Sequence, residues 1–123
     1  MICIPTFHFN KGCCAEAVSL YQKAFDLIID WQGKGEDGLI YHTEARIGSQ
    51  RIRLSDGGFG RNTMETDSLF ITVVFDTVEE VERVFDILKK DGTVEITPHK
   101  PDFATCWSVL KDKFGVKWSL MVD

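Results

Sequence analysis

The feature that most limits what this chain can become is an internal echo. Residues 48–56, Gly-Ser-Gln-Arg-Ile-Arg-Leu-Ser-Asp, form a turn glycine, a strand-like run and an aspartate, and residues 115–123, Gly-Val-Lys-Trp-Ser-Leu-Met-Val-Asp, have the same form. Two helical stripes repeat as well, with Cys14, Ala17, Tyr21 and Ala24 falling on Val78, Val81, Phe85 and Leu88 at a constant offset of 64 residues. Both copies therefore bury the same helix face. Self-similarity at a fixed spacing is the mark of one supersecondary unit used more than once. The chain must fold as two similar halves.

Periodicity supplies the contents of each half. Ile2–Asn10 alternates from position 6, with Thr6, His8 and Asn10 on one face and Phe7 and Phe9 on the other. Cys14–Phe25 is an amphipathic helix, buried through Cys14, Ala17, Val18, Tyr21, Ala24 and Phe25. Leu27–Gln32 is a short strand, 33–38 a glycine-rich hairpin connection, Leu39–Ile47 a longer strand, and Arg51–Asp56 the closing one. Residues 57–67 are polar and glycine-bearing and read as a linker or a flap. The second half repeats the order: strand Ser68–Asp76, helix Val78–Lys90 buried through Val78, Val81, Val84, Phe85 and Leu88, then strands Thr93–Thr97, Phe103–Leu110 and Val116–Val122. The expected fold is α+β: one domain of two βαβββ modules, 1–56 and 68–123. Each module is a sheet with a helix on one face, which leaves the other face to be covered or to bind something.

Composition narrows the function classes. A formal charge of −5 without a basic cluster argues against a nucleic-acid partner, because phosphate binding needs concentrated Lys and Arg. No apolar run approaches the roughly 18–20 residues that cross a bilayer, so no membrane partner is expected. The start, Met-Ile-Cys-Ile-Pro, lacks a basic region and a small-residue cleavage site, which makes a cytoplasmic protein the expectation. The four cysteines, Cys3, Cys13, Cys14 and Cys106, show no C-x-x-C spacing. Cys14 opens a helix, where a thiol can become reactive, but it also lies on the apolar stripe. It is read as a buried, inert residue.

The segments Ala15-Glu-Ala-Val-Ser-Leu-Tyr-Gln-Lys-Ala-Phe25, His42-Thr-Glu-Ala-Arg-Ile-Gly48, Leu54-Ser-Asp56 and Asp112-Lys-Phe-Gly-Val-Lys-Trp118, in that order, resemble the vicinal oxygen chelate superfamily. This is the glyoxalase, bleomycin-resistance and extradiol-dioxygenase group, and within it the PhnB-like branch is the nearest likeness. The resemblance implies a partly closed sheet made from the paired modules, a ligand cavity on the concave face away from the helices, and homodimers. Metal-dependent members carry four ligands, mostly His and Glu, on the first and last strands of each module. Those positions align with Thr6, Arg53, Phe70 and Ser119, a set that lacks a good ligand for a divalent cation. PhnB-like members usually carry Trp-Gly near the start of the seventh strand and Gly five residues later; here Phe103, Ala104 and Ser108 stand there. No glycine-rich strand-to-helix turn that holds a nucleotide-like cofactor occurs, so no metal and no cofactor is expected.

Alternation, phased by those family positions, gives an expected cavity lining. Thr6, His8, Arg53, Phe70, Phe103, Trp107 and Ser119 are the expected ligand-binding residues, with one wall polar and cationic and the other aromatic. That combination suits a small anionic or oxygen-rich molecule, with Arg53 as a charged fork. Arg53 can instead pair with Glu44 across neighbouring strands and satisfy both charges without a ligand. Two further readings stay open. His8 can act as an acid–base group with Glu44 or His42 as its partner, and His8 with the His42-x-Glu44 pair can supply three ligands to a displaced metal. The chain can also be a dimeric interaction protein whose cavity is filled by its own side chains. His99, beside Pro98, reads as a surface loop residue.

Overall fold

The protein is described by a computed structural model covering residues 1–57 and 68–123. Apart from Gly57, the expected linker lies outside the described residues. The chain divides into two compact units, Met1–Thr63 and Met64–Asp123.

In the first unit, β1 (Thr6–Phe9) leads to α1 (Cys14–Phe25), then β2 (Ile28–Lys34), β3 (Ile40–Ile47) and β4 (Gln50–Asp56). The sheet order is β1-β4-β3-β2, with β1 and β4 parallel and the other pairs antiparallel. The second unit runs β5 (Ile71–Val74), α2 (Val78–Leu88), β6 (Thr93–His99), β7 (Cys106–Lys111) and β8 (Lys117–Val122). Its order, β5-β8-β7-β6, repeats the first, again with a parallel β5–β8 pair. The two matched turn glycines, Gly48 and Gly115, both have positive φ, 58° and 87°, a conformation that a Cβ penalises. The duplication seen in the sequence is thus a duplication of backbone geometry.

Each core lies between helix and sheet. Cys14, Ala17, Val18, Tyr21, Ala24 and Phe25 of α1 are all buried, as are Phe7, Phe9, Ala45, Ile52 and Leu54 of the first sheet. Tyr21 packs against Phe9 and Phe25 at ring separations of 6.3 and 6.2 Å. In the second unit Val81, Val84, Phe85 and Leu88 of α2 are buried along with Leu110, Trp118 and Leu120. Val78 is only half-buried, so it marks the rim of the expected stripe and not its centre.

Two aspartates tie loops to strands. The residue before α1, Cys13, gives no side-chain cap. Asp56 replaces it from the end of β4: Oδ1 accepts from the backbone N–H groups of Gly12 and Cys14, at 3.0 and 2.9 Å, and Oδ2 from that of Ile40 at 2.9 Å. Asp112 organises the turn before β8. Its Oδ1 accepts from the N–H groups of Phe114 and Val116, at 2.9 and 3.1 Å, and its Oδ2 from the Trp118 indole at 2.9 Å.

Several strand boundaries differ from the sequence expectation, and the reason is shared. A strand is as long as its partner allows. β1 starts at Thr6, not Ile2, because its parallel ladder with β4 pairs Thr6 to Phe9 with Arg53 to Asp56, and the Arg53 N–H closes it on the Pro5 carbonyl. β7 starts at Cys106, not Phe103, since its pairing with β8 begins at Cys106–Val122. β5 is likewise trimmed to Ile71–Val74, leaving Phe70 just outside it. β6 continues through Pro98 to His99, which corrects the loop placement of His99 while leaving it exposed. Proline is tolerated there because β6 is an edge strand.

Candidate functional site

The sheet face of the first unit opposite α1 is built by alternation. Arg51, Arg53 and Ser55 on β4 point the same way as Thr6 and His8 on β1 and His42, Glu44 and Arg46 on β3. The register draws one row across all four strands: Thr6 beside Arg53, Arg53 beside Glu44, and Glu44 beside Trp31. Glu44 is the hub of this face. Its Oε1 accepts from Arg53 Nε at 2.7 Å and from His42 Nε2 at 3.0 Å, and its Oε2 takes a longer contact from Arg51 Nη2 at 3.4 Å. The His42 hydrogen bond, followed by that of Arg53, outweighs desolvation and holds the Glu44 carboxyl below its usual range. Arg46 pairs separately with Asp30 through two bonds of 2.8 and 2.9 Å.

Arg53 is both paired and available. Its side chain is 39% exposed, and Nε is the atom that holds Glu44. Among the described residues no other hydrogen bond or ion pair of the guanidinium exists, so its Nη edge keeps its donors while Glu44 fixes the plane of the fork. Of the two sequence readings of Arg53, the pairing with Glu44 is the one the structure contains, and it is made through Nε alone.

The expected acid–base residues form two pairs. His8 Nδ1 and Ser55 Oγ are hydrogen-bonded at 2.7 Å, with the hydroxyl donating when Nδ1 is unprotonated. His42 is bonded to Glu44. His8 on β1 and His42 on β3 sit on the two strands flanking β4, so their backbones stand about 10 Å apart, two strand spacings. Glu44 is already committed to His42, Arg51 and Arg53, and Ser55 is the residue that orients His8.

In the second unit, Trp107 on β7 donates its indole N–H to Ser119 Oγ on β8 at 3.0 Å. Ser119 is only 2% exposed, so its hydroxyl serves to position Trp107. The exposed Phe103, on the turn before β7, meets Trp107 edge-on at 5.0 Å, and His99, opposite Trp107 in the ladder, lies 6.0 Å away ring to ring. The ammonium of Lys117 sits 5.5 Å from the centre of the Phe70 ring and bonds Glu95 at 2.7 Å. Lys117 and the strand position of His99 went unread in the sequence. The parity of β8, which sets Lys117 beside Ser119, was the available signal.

These contacts decide the fit of a metal. At the four positions where metal-dependent relatives carry ligands, Thr6 Oγ1 donates to the Ile4 carbonyl at 3.3 Å, Arg53 presents a cation, Phe70 presents a hydrocarbon ring under an ammonium, and Ser119 Oγ is buried and bonded. A divalent ion would meet fixed positive charge and weak hydroxyl donors, so these residues do not fit one. Among the described residues no three His, Cys, Asp or Glu side chains converge as a cation site, which includes His8 with His42 and Glu44. Nor does a helix there have the length and apolarity to cross a membrane.

The fold and residue pattern match the glyoxalase/bleomycin resistance protein/dioxygenase superfamily over residues 5–120, and the chain belongs to that family. Its fold is that of the PhnB-like structures. The PhnB protein from Bacillus cereus, described as a putative 3-demethylubiquinone-9 3-methyltransferase, is 24% identical, with both chains fully covered and a TM-score of 0.89. A Pseudomonas aeruginosa protein is also 24% identical over all of this chain and 98% of its own, with a TM-score of 0.82. The fosfomycin resistance protein FosX from Listeria monocytogenes is 15% identical over 98% of this chain and 91% of its own, with a TM-score of 0.71. No curated protein sequence matches the chain.

Proposed function

We propose that this family member is a metal-independent binder of a small molecule carrying an anionic or oxygen-rich group, with Arg53 receiving that group. The carrying observation is the half-used guanidinium: Glu44 holds Nε at 2.7 Å, the side chain is 39% exposed, and the Nη edge has no hydrogen-bond or ion-pair partner among the described residues. A planar fork fixed in advance loses little entropy on taking a carboxylate or phosphonate in two parallel bonds. Thr6 and His8, the neighbours of Arg53 and Ser55 on β1, add polar contacts on the same face. The second unit carries an aromatic surface of its own, Phe103 and Trp107 with Ser119 holding the indole, and a Phe70 ring beside Lys117, for which we propose a separate contact with small molecules. Binding is preferred over acid–base catalysis because the carboxylate that would orient His8 is engaged by three other side chains.

We further propose a homodimer, supported by Ile28 and Ile29 exposed on the edge strand β2, where unpaired backbone and apolar side chains favour a partner copy. Four free cysteines fit a reducing cytoplasm.

The test is a thermal-shift panel of small carboxylates, phosphates and phosphonates, run with and without a chelator, on the wild type and Arg53→Ala. At least one class should raise the melting temperature, keep its effect in the chelator, and lose it in the variant. A flat panel, or a shift that the chelator removes, overturns the reading.

A further inference from the structure

One feature of the first unit lies outside the residues assigned above. On β2, Trp31 is 50% exposed, and on β3, Tyr41 is 61% exposed, although each carries a large apolar ring. The rings lie 6.1 Å apart at 60°, and Trp31 also lies 6.0 Å from His42. Both rest on Gly33. A Cβ added there would run into the Tyr41 ring and the outer edge of the Trp31 indole. The missing side chain is the seat on which the two rings lie. They are thus held in place while much of their surface faces solvent, which is how a rigid aromatic contact is presented to a ligand.

The duplicated unit serves as a control. β2 and β6 are the matching edge strands, and each has a register shift at the matching place, between Ile29 and Trp31 and between Val94 and Ile96. Ile96 takes the place of Trp31, and after a further shift His99, opposite Trp107 as Gly33 is opposite His42, takes that of Gly33. Ile96 is half-buried. The fold accepts an ordinary edge strand here, so the exposed ring pair is a property of the first unit and not a demand of the architecture.

We infer that Trp31 and Tyr41, seated on Gly33, form an aromatic shelf that packs a planar ring of the ligand whose anionic group Arg53 receives. This rests on the reading of Arg53 given above and narrows it. Trp31, Glu44 and Arg53 are successive members of one cross-strand row, which sets the Cα atoms of Trp31 and Arg53 about 10 Å apart. The long side chains at both ends shorten that gap. The fitting chemical class is a small aryl compound bearing a carboxylate, phosphate or phosphonate on or near the ring. Charge agrees with this: Arg51 and Arg53 favour the anionic end at β4, whereas Arg46 and Asp30 on β2 pair with each other.

The experiment compares methylphosphonate with phenylphosphonate by calorimetric titration of the wild type, Trp31→Ala, Trp31→Phe and Arg53→Ala, with circular dichroism confirming the fold of each. The wild type should bind phenylphosphonate at least about tenfold more tightly than methylphosphonate. Trp31→Ala should bring the two within about threefold without changing methylphosphonate affinity, and Trp31→Phe should keep most of the preference. Equal affinities in the wild type, both lost in Arg53→Ala, sink the shelf and leave the anion site standing. Binding of neither probe sinks both. If Trp31→Ala halves the native mass while phenylphosphonate affinity is unchanged, Trp31 belongs to a subunit contact and the shelf is refuted.

Discussion

Replacing Asp112 with alanine should remove much of the stability of the second unit, and the structure sets the size of the loss. The carboxylate is 3% exposed and accepts three hydrogen bonds, from the Phe114 and Val116 N–H groups and from the Trp118 indole. The Val116 and Trp118 donors are buried, and alanine offers them nothing. A buried donor left unpaired costs about 1–3 kcal/mol, and bonds to a charged acceptor lie toward the upper end. Phe114 N–H is less deeply placed, and water can replace most of what it loses. The expected loss is about 3–5 kcal/mol, a large part of the roughly 5–15 kcal/mol that holds a domain together. In a chain of this size that corresponds to a fall in melting temperature of about 10–20 °C. Urea unfolding followed by tryptophan emission would measure it. A second substitution isolates the cause: Trp118→Phe removes the orphaned indole N–H, so the double variant should lose at least about 1 kcal/mol less than the sum of the single losses. A loss below about 1 kcal/mol for Asp112→Ala, or strict additivity in the cycle, would refute the assignment of Asp112 as the anchor of the closing strand.

Other outcomes follow from the same contacts. Glu44 is held below the usual carboxylate range in the folded state, so its contribution is present above the unfolded carboxyl pKa of about 4.3 and is lost as pH falls through the lower folded value. Melting temperature against pH between 5 and 3 should therefore fall more steeply in the wild type than in Glu44→Gln, and parallel curves would count against the network. Arg53→Lys keeps the charge but loses the fork, and should weaken anion binding about tenfold in the panel assay. Burial, foremost, and the charge of Asp56 push the Cys14 thiol up to about 12, and burial also raises that of Cys106. In native protein at pH 8 a thiol reagent should label the exposed Cys3 promptly and reach Cys14 and Cys106 only in urea. Labelling of Cys14 at the rate of Cys3 would contradict its burial.

Much of the fold was legible along the chain because it is written in local terms. A helix face follows from a 3.6-residue period, so the buried stripe of α1 was read residue for residue, Cys14 included. The turn glycines and the shared offset gave the duplication, and backbone sterics make a positive-φ glycine a reliable sign. The parity of β1 and β4, and of β3 from His42 onward, was also readable, because strands without a register shift alternate strictly. That is why His8, His42, Glu44 and Arg53 were singled out.

The rest depended on which strand pairs with which, and hydrogen-bond partners distant in sequence decide that. The trimmed start of β7 put Phe103 on a turn, yet still against Trp107. The register shift in β2 breaks strict alternation, which hid the fact that Trp31 belongs to the row of Glu44 and Arg53. That Glu44 takes Arg53 at Nε, at 2.7 Å, is likewise something that no spacing encodes. Local periodicity set the elements and the faces they bury. Only the non-local pairing of strands set which side chains share the face left open.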